Sequence, residues 1–349
     1  MNICTYIKSQ LELHPSMQPQ DIIKLCYQAA FGAEHLLLDK TRALTYFNEE
    51  YTSIEPLASN LYEQISDNIY RINLATWKAV GMPSDWLFEM FVNSMKPVEN
   101  GEDLFLEYLN SFEENFTCLH TSFSRTEWIT CKENYLKDGI RAVHHSQIYR
   151  DSEKPAYRIV DARFIRLLPL LQKASQLQTS TSTKVIAIDG RAASGKSTMA
   201  DDLKIILGAG IVHMDDFFLP PVLRTEERFK QPGGNVHYER FTEEVIPQLS
   251  NNAAFSYRRF ACHVMDYSGE RFVDESEWRV IEGSYSLHPI LGDYADLKVF
   301  STIDPEAQME RIINRNGVEM AERFRTTWIP MEEMYYDYYM IKNKCDLVI

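Results

Sequence analysis

The sequence predicts a two-domain protein: a mainly α N-terminal half, residues 1–175, and a three-layer α/β domain built on a parallel sheet, residues 184–349. Three observations predict it. After residue 184 short apolar strands alternate with helices, the pattern of a parallel sheet wrapped by helices. Before residue 172 helical periodicity dominates. Between the two, residues 172–183 read Gln-Lys-Ala-Ser-Gln-Leu-Gln-Thr-Ser-Thr-Ser-Thr, a polar run that marks a helix end and a linker.

In the N-terminal half, Ile22, Ile23, Leu25, Cys26, Ala29 and Ala30 fall on one helical stripe, and Trp86, Leu87, Met90, Phe91 and Met95 on another. Residues 67–74 read as a short strand, and no internal repeat is visible. In the C-terminal half the strands are expected at 185–188, 210–214, 279–281, 297–301 and 347–349, with an amphipathic helix over 199–207. Ligands of such sheets bind at the carboxyl ends of the strands.

The strand at 185–188 runs into Gly190-Arg-Ala-Ala193-Ser194-Gly195-Lys196-Ser197-Thr198. Strand, Gly-x-x-x-x-Gly-Lys-Ser, then helix is the context of a Walker A loop. Its glycines turn successive backbone N–H groups toward phosphate, and the helix N-terminus adds partial positive charge. Lys196 then reaches the β/γ-phosphates of ATP, and Ser197 holds Mg²⁺. The second strand ends in His213-Met214-Asp215-Asp216-Phe217-Phe218, where Asp215 is placed to accept the proton of an attacking hydroxyl. The third ends in Glu282-Gly283, a carboxylate at Walker B position able to act on Mg²⁺ through water. An Asp capping a turn and an ordinary strand-end Glu fit the same spacings.

The helix opened by Asp304-Pro305 puts Arg311 and Arg315 on one face, with Arg323 and Arg325 following. That arrangement suits a lid that neutralises a transferring phosphoryl group; a solvated basic face has the same pattern. Residues 220–265 form an insertion rich in Arg, Tyr and His beside Gly-Gly, the composition of an acceptor-binding lobe. Its candidate acceptor residues, with Phe218, are Arg224, Asn235, His237, Tyr257, Arg259 and His263.

Taken together, Gly-Arg-Ala-Ala-Ser-Gly-Lys-Ser-Thr, Met-Asp215-Asp-Phe-Phe, Ile-Glu282-Gly and the Arg311/Arg315 lid resemble the uridine kinase and phosphoribulokinase branch of P-loop kinases over about residues 184–349. The resemblance implies Asp215 as base, Glu282 near Mg²⁺ and the lid arginines on phosphate. Nucleoside kinases of that branch hold ribose with an Asp in Asn-Phe-Asp-His-Pro; here Asn235-Val-His237-Tyr puts a histidine there, and Tyr257 and His263 match the base-reading pair only loosely. An imidazole with one acceptor nitrogen does not replace a carboxylate that accepts from two hydroxyls. His237, Arg224 and Arg259 suit an acceptor that carries phosphate or carboxylate.

Asp266-Tyr-Ser-Gly269 and Asn343-Lys-Cys-Asp346 also match GTPase motifs in order. The guanine-reading motif should follow an apolar strand; here the apolar Leu347-Val-Ile comes after it, which sets that reading aside. Two function classes remain: an ATP- and Mg²⁺-dependent kinase acting on a hydroxyl of a nucleoside or other small metabolite, and an ATP-gated module that acts on the N-terminal half. In that half Arg141, His144, His145, Ser146, Tyr149, Arg150, Tyr157 and Arg158, with His35, form the most suggestive cluster, read as an anion-binding or catalytic patch or as interface packing.

Composition bounds the partners. The chain has 349 residues, 45% hydrophobic and 25% charged, with a net charge of −14 that repels a nucleic-acid backbone. Its six cysteines form no Cys-x-x-Cys pair, so neither zinc nor a disulfide framework is expected, and reduced thiols suit a cytoplasmic setting. No apolar run reaches membrane-spanning length and no signal peptide is recognisable. The expected partner is a small-molecule acceptor, not nucleic acid or membrane; a homo-oligomer is compatible with the sequence.

Overall fold

The computed structural model describes residues 3–33, 40–96, 98–262 and 264–349. In it the stripe from Ile22 to Ala30 is the buried face of one helix, opened by Pro19, whose ring is preset for a first helical turn. The backbone divides into two units, Met1–Leu168 and Pro169–Ile349. The first contains α1 (Ile3–Leu13), α2 (Pro19–Phe31), α3 (Lys40–Ser53), β1 (Tyr62–Ser66), β2 (Ile69–Asn73), α4 (Leu74–Val80), α5 (Ser84–Val92), α6 (Gly101–Glu114), α7 (Arg125–Lys137), α8 (Gln147–Glu153), β3 (Tyr157–Asp161) and α9 (Ala162–Ile165). The stretch expected as one strand at 67–74 is a turn followed by β2, and β1, β2 and β3 pair antiparallel in that order. Helices therefore dominate this unit, with a small sheet that its short, mixed strands barely announce.

After α10 (Leu168–Ser175), which enters the polar run at 172–183, come β4 (Lys184–Gly190), α11 (Lys196–Leu207), β5 (Gly210–His213), α12 (Glu226–Phe229), α13 (Tyr238–Glu244), β6 (Phe255–Ala261), β7 (Asp266–Val273), β8 (Trp278–Glu282), β9 (Leu297–Ser301), α14 (Pro305–Asn316), α15 (Val318–Arg323), α16 (Ile329–Tyr339) and β10 (Leu347–Val348). Five strands pair parallel in the order β10-β9-β4-β8-β5. Central β4 is covered on both faces, so Ile186, Ala187 and Ile188 read as a continuous apolar run. The chain steps from β4 over the place of β8 to β5, and later back across β4 to β9. The carboxyl end of β4 is thus the point where strand order reverses, where a crevice opens.

The insertion also contains a hairpin that the sequence hides. β6 and β7 pair antiparallel, and a register shift between Arg258 and Phe260 breaks the period-two alternation by which a strand is recognised. Asp266 opens β7 of this hairpin and not a strand of the parallel sheet, so the Asp-x-x-Gly of the GTPase pattern stands outside the P-loop crevice. Among the described residues no helix is long and apolar enough to cross a membrane.

Candidate functional site at the strand ends around the P-loop

The loop begins where β4 leaves the sheet. Gly190 has φ +133°, and a Cβ there would meet the Ser301 carbonyl oxygen at 2.0 Å, so this position admits only glycine. Ala193 and Gly195 take left-handed conformations, and α11 starts at Lys196. Lys196 is buried, and its ammonium donates to the carbonyls of Gly190 (2.6 Å) and Arg191 (2.9 Å) and, at 3.4 Å, to Ser284 Oγ. The loop is wrapped around its own lysine. Ser197 and Thr198 open α11 at the surface, whereas Ser194 Oγ is buried without a partner among the described residues.

Asp189, fully buried beneath this loop, accepts from the N–H groups of Gly190, Tyr285 and Leu287 and from the Tyr335 hydroxyl. Burial pushes its carboxyl up and those hydrogen bonds pull it back. Replacing Asp189→Ala strands these donors, and an expected loss of about 3 kcal/mol should appear in urea unfolding.

Two carboxylates converge beside the loop. Glu282, at the end of β8, accepts from Ser197 Oγ (3.1 Å) on one oxygen and meets His213 Nδ1 at 2.6 Å on the other. Gly283, with φ +131°, lets the turn after β8 press on Met214, whose Cβ would lie 2.7 Å from a side chain there. Asp215, one residue past Met214, keeps an exposed carboxyl. The protein mass around it and the charge of Glu282 raise its pKa, while Lys196 lowers it; because the group meets solvent, the burial effect is the weaker for it. Ser197 Oγ, Asp215 and Glu282 are hard oxygen donors of the kind Mg²⁺ takes. Among the described residues no three His, Cys, Asp or Glu side chains converge as a ligand cage.

Asp216 turns the other way. It is buried, accepts from the Tyr257 hydroxyl (3.0 Å) and from Arg271 (3.0 and 3.3 Å), and lies 3.6 Å from Arg259 Nε. Tyr257 is thereby a buried strut, its hydroxyl also accepting from the His213 N–H at 3.1 Å, whereas Arg259 is half-exposed. Phe218 pairs with Val236, and the His237 N–H donates to the Phe217 carbonyl at 2.7 Å, which staples residues 235–237 to the end of β5. Asn235 Oδ1 and His237 Nδ1 are buried there without partners among the described residues. Arg224 spends its Nε on the Leu219 carbonyl at 2.7 Å. His263, the remaining candidate acceptor residue, lies outside the described residues, as does His35.

Of the lid arginines, Arg311 reaches the loop, donating to the Ala193 carbonyl at 3.2 Å. Arg315 bonds only its neighbour Asn316 among the described contacts, and Arg325 pairs with Glu322. Sequence reasoning passed over Asp216, Arg271, His213, Ser284 and Glu332. The Asp-Asp doublet was a signal for the first; the others sit in elements whose register the sequence leaves open.

In the first unit His144 is exposed and His145 turns inward; both lie in irregular chain before α8 and not on a helix. Asp21, fully buried, accepts from His145 Nδ1 (2.9 Å), the Ser146 N–H (2.9 Å) and hydroxyl (2.6 Å) and the Gln18 N–H (2.9 Å). An ionised Asp21 accepts from the Nδ1–H of His145, which leaves Nε2 as an acceptor facing the Tyr157 hydroxyl at 2.7 Å; that hydroxyl also lies 3.2 Å from Gln28 Oε1. Tyr149 stacks on the imidazole at 4.5 Å, and Arg71 lies over the Tyr157 ring. Arg158 pairs with Glu50, and Arg141 and Arg150 point to the surface.

Burial, with the charges of Lys24 and Arg71, lowers the His145 pKa to about 4 against the pull of Asp21. The folded protein therefore releases this proton above about pH 4, whereas the unfolded chain holds it up to about pH 6.5. Acid favours the unfolded state in that window. Burial works to raise the Asp21 pKa, but its hydrogen bonds win and lower it, so its share of stability is lost at still lower pH. Unfolding free energy should fall by about 3 kcal/mol between pH 6.5 and 4; denaturant titration of His145→Gln should lack most of this slope.

No family model matches this sequence, and no curated protein sequence matches it. Solved structures resemble part of the chain. A possible uridine kinase from Bacillus stearothermophilus is 21% identical, covers 53% of this chain and 98% of its own, and superposes with a TM-score of 0.42. A fructose transport system kinase from Silicibacter sp. TM1040 is 18% identical, covers 49% and 91%, and has a TM-score of 0.40. Both likenesses are too distant to speak for the chemistry of this chain.

Proposed function

We propose that the Pro169–Ile349 unit is an ATP- and Mg²⁺-dependent kinase, of uridine kinase type, that transfers the γ-phosphoryl group to a hydroxyl of a small metabolite. The observation that carries this reading is the exposed Asp215 carboxyl standing at a strand end next to the Ser197–Glu282 pair at the mouth of the P-loop. In this reading the loop amides and Lys196 hold the β/γ-phosphates, and Asp215 accepts the proton of the attacking hydroxyl. Ser197 and Glu282 would hold Mg²⁺, which when bound would supply charge neutralisation on the phosphates. Arg311, which donates to the Ala193 carbonyl of the loop, acts on the same charge in this reading. The acceptor is a nucleoside or another small metabolite; Arg259 and Arg271, which lie on Asp216, and Arg224, held at the Leu219 carbonyl, favour one bearing phosphate or carboxylate.

The test is ADP formation from ATP and Mg²⁺ across a panel of nucleosides, sugars, sugar phosphates and vitamins. Stimulation by one chemical class, absent without Mg²⁺, supports the kinase. ADP formation that no panel member stimulates favours the second reading, an ATP-gated module. What favours that reading is the grip of α14 and α16 on the loop, through which nucleotide occupancy can move the C-terminal helices.

A further inference from the structure

Around the P-loop three acids have tasks. Asp189 holds the turn after β8, Asp215 faces solvent, and Glu282 binds Ser197. Glu332, in the first turn of α16, has none of these, yet it is buried against the loop. One of its oxygens accepts from the Ala192 N–H at 3.0 Å, and the other from Ser284 Oγ at 2.7 Å. The same Ser284 oxygen accepts from Lys196 Nζ at 3.4 Å, so Lys196, Ser284 and Glu332 form a chain. A Ser hydroxyl has one proton, and the shorter contact gives it to Glu332 rather than to the Gly190 carbonyl at 3.1 Å.

The neighbouring residues repeat the pattern. Glu333 grips Arg191 at 2.7 and 3.2 Å, Gln308 donates to the Ala192 carbonyl at 2.9 Å, and Tyr335 donates to Asp189 at 2.9 Å. Ala192 and Ala193 pack against Met309, Ile312, Phe324 and Ile329. Loop residues 189–193 are thus held from outside by α14 and α16, and a carboxylate occupies a loop N–H while the lysine is turned back on loop carbonyls.

We propose that Glu332 is the built-in counter-charge of the P-loop: through Ser284 it favours a withdrawn Lys196, and the polyphosphate of a nucleotide competes with it for that lysine. Glu332 is on this account a positioning residue that sets how tightly the loop takes a nucleoside triphosphate. The inference rests on the nucleotide-binding reading of the loop. Its physical basis is Coulombic: one negative charge near bound polyphosphate opposes binding, and it also stabilises the lysine in the arrangement that leaves phosphate unserved.

The experiment is calorimetric titration of the full chain with ATP, ADP and adenosine at low and high salt. Glu332→Gln keeps the size and an acceptor oxygen and removes the charge. It should tighten ATP binding about tenfold and ADP binding less, with a gain that shrinks as salt screens it. Adenosine, which has no phosphate, should bind both proteins alike, a contrast that a merely structural role would not produce. Equal or weaker ATP binding by Glu332→Gln at an unchanged melting temperature overturns the proposal. Should that variant fail to fold, Ser284→Ala cuts the link to Lys196 and is expected to tighten ATP binding; unchanged or weaker binding overturns the proposal equally. A wild-type chain that binds neither ATP nor GTP overturns the P-loop reading together with it, a result distinct from a variant that binds no tighter.

Discussion

Asp215→Asn is expected to lower phosphoryl transfer by about 10²–10⁴-fold while ATP affinity stays within about twofold, as loss of a general base does when it does not touch the nucleotide. The amide keeps the shape of the strand end but cannot take the hydroxyl proton. Dissociation constants from calorimetry and single-turnover rates with the identified acceptor separate the two effects. The pH profile gives an independent check. The protein mass around the carboxyl, an effect its exposure weakens, and the charge of Glu282 raise the Asp215 pKa, and the base works ionised, so the rate of the wild type should fall with acid through a value above that of an ordinary aspartate. Asp215→Asn should lack this limb.

Lys196→Met should weaken ATP binding and lower transfer by about 10²–10³-fold, the usual cost of removing a charged donor from a transferring group. The structure adds a stability effect. Lys196 satisfies the Gly190 and Arg191 carbonyls, so its loss leaves loop acceptors without a donor in a buried place and should lower the melting temperature as well. Lys196→Arg restores charge but not the compact ammonium that fits inside the loop. It should therefore recover part of the binding and little of the rate. A Lys196→Met chain that binds ATP like the wild type would remove the lysine from the site.

How far these residues can be read from the sequence follows from what each signal requires. The P-loop is legible because its glycines are forced: no side chain fits at Gly190 against Ser301, so the motif cannot drift. The parallel strands are legible because β4 and its neighbours are buried on both faces and carry short apolar runs, Val185 to Ile188 in β4, Val280-Ile281 in β8 and Val299-Phe300 in β9. Asp215 and Glu282 follow from the rule that ligands meet strand ends. The rest depends on contacts across long separations. Glu332 meets Ala192 across 140 residues. Nothing in the Tyr- and Met-rich α16 marks which of its carboxylates faces inward. The bulge at Arg258 and Phe260 hides β6. In the first unit the doublet His144-His145 is uninformative on a helix, but in the irregular chain before α8 it separates one exposed imidazole from one that meets Asp21.

The measurement that bears most directly on phosphoryl transfer follows the label of [γ-³²P]ATP in a metabolite mixture with Mg²⁺, for the wild type and Asp215→Asn side by side. The account predicts label in one acid-stable small molecule with the wild type and almost none with the variant, although both bind ATP. Label that appears only as inorganic phosphate, or enters the same product equally with both proteins, would contradict it.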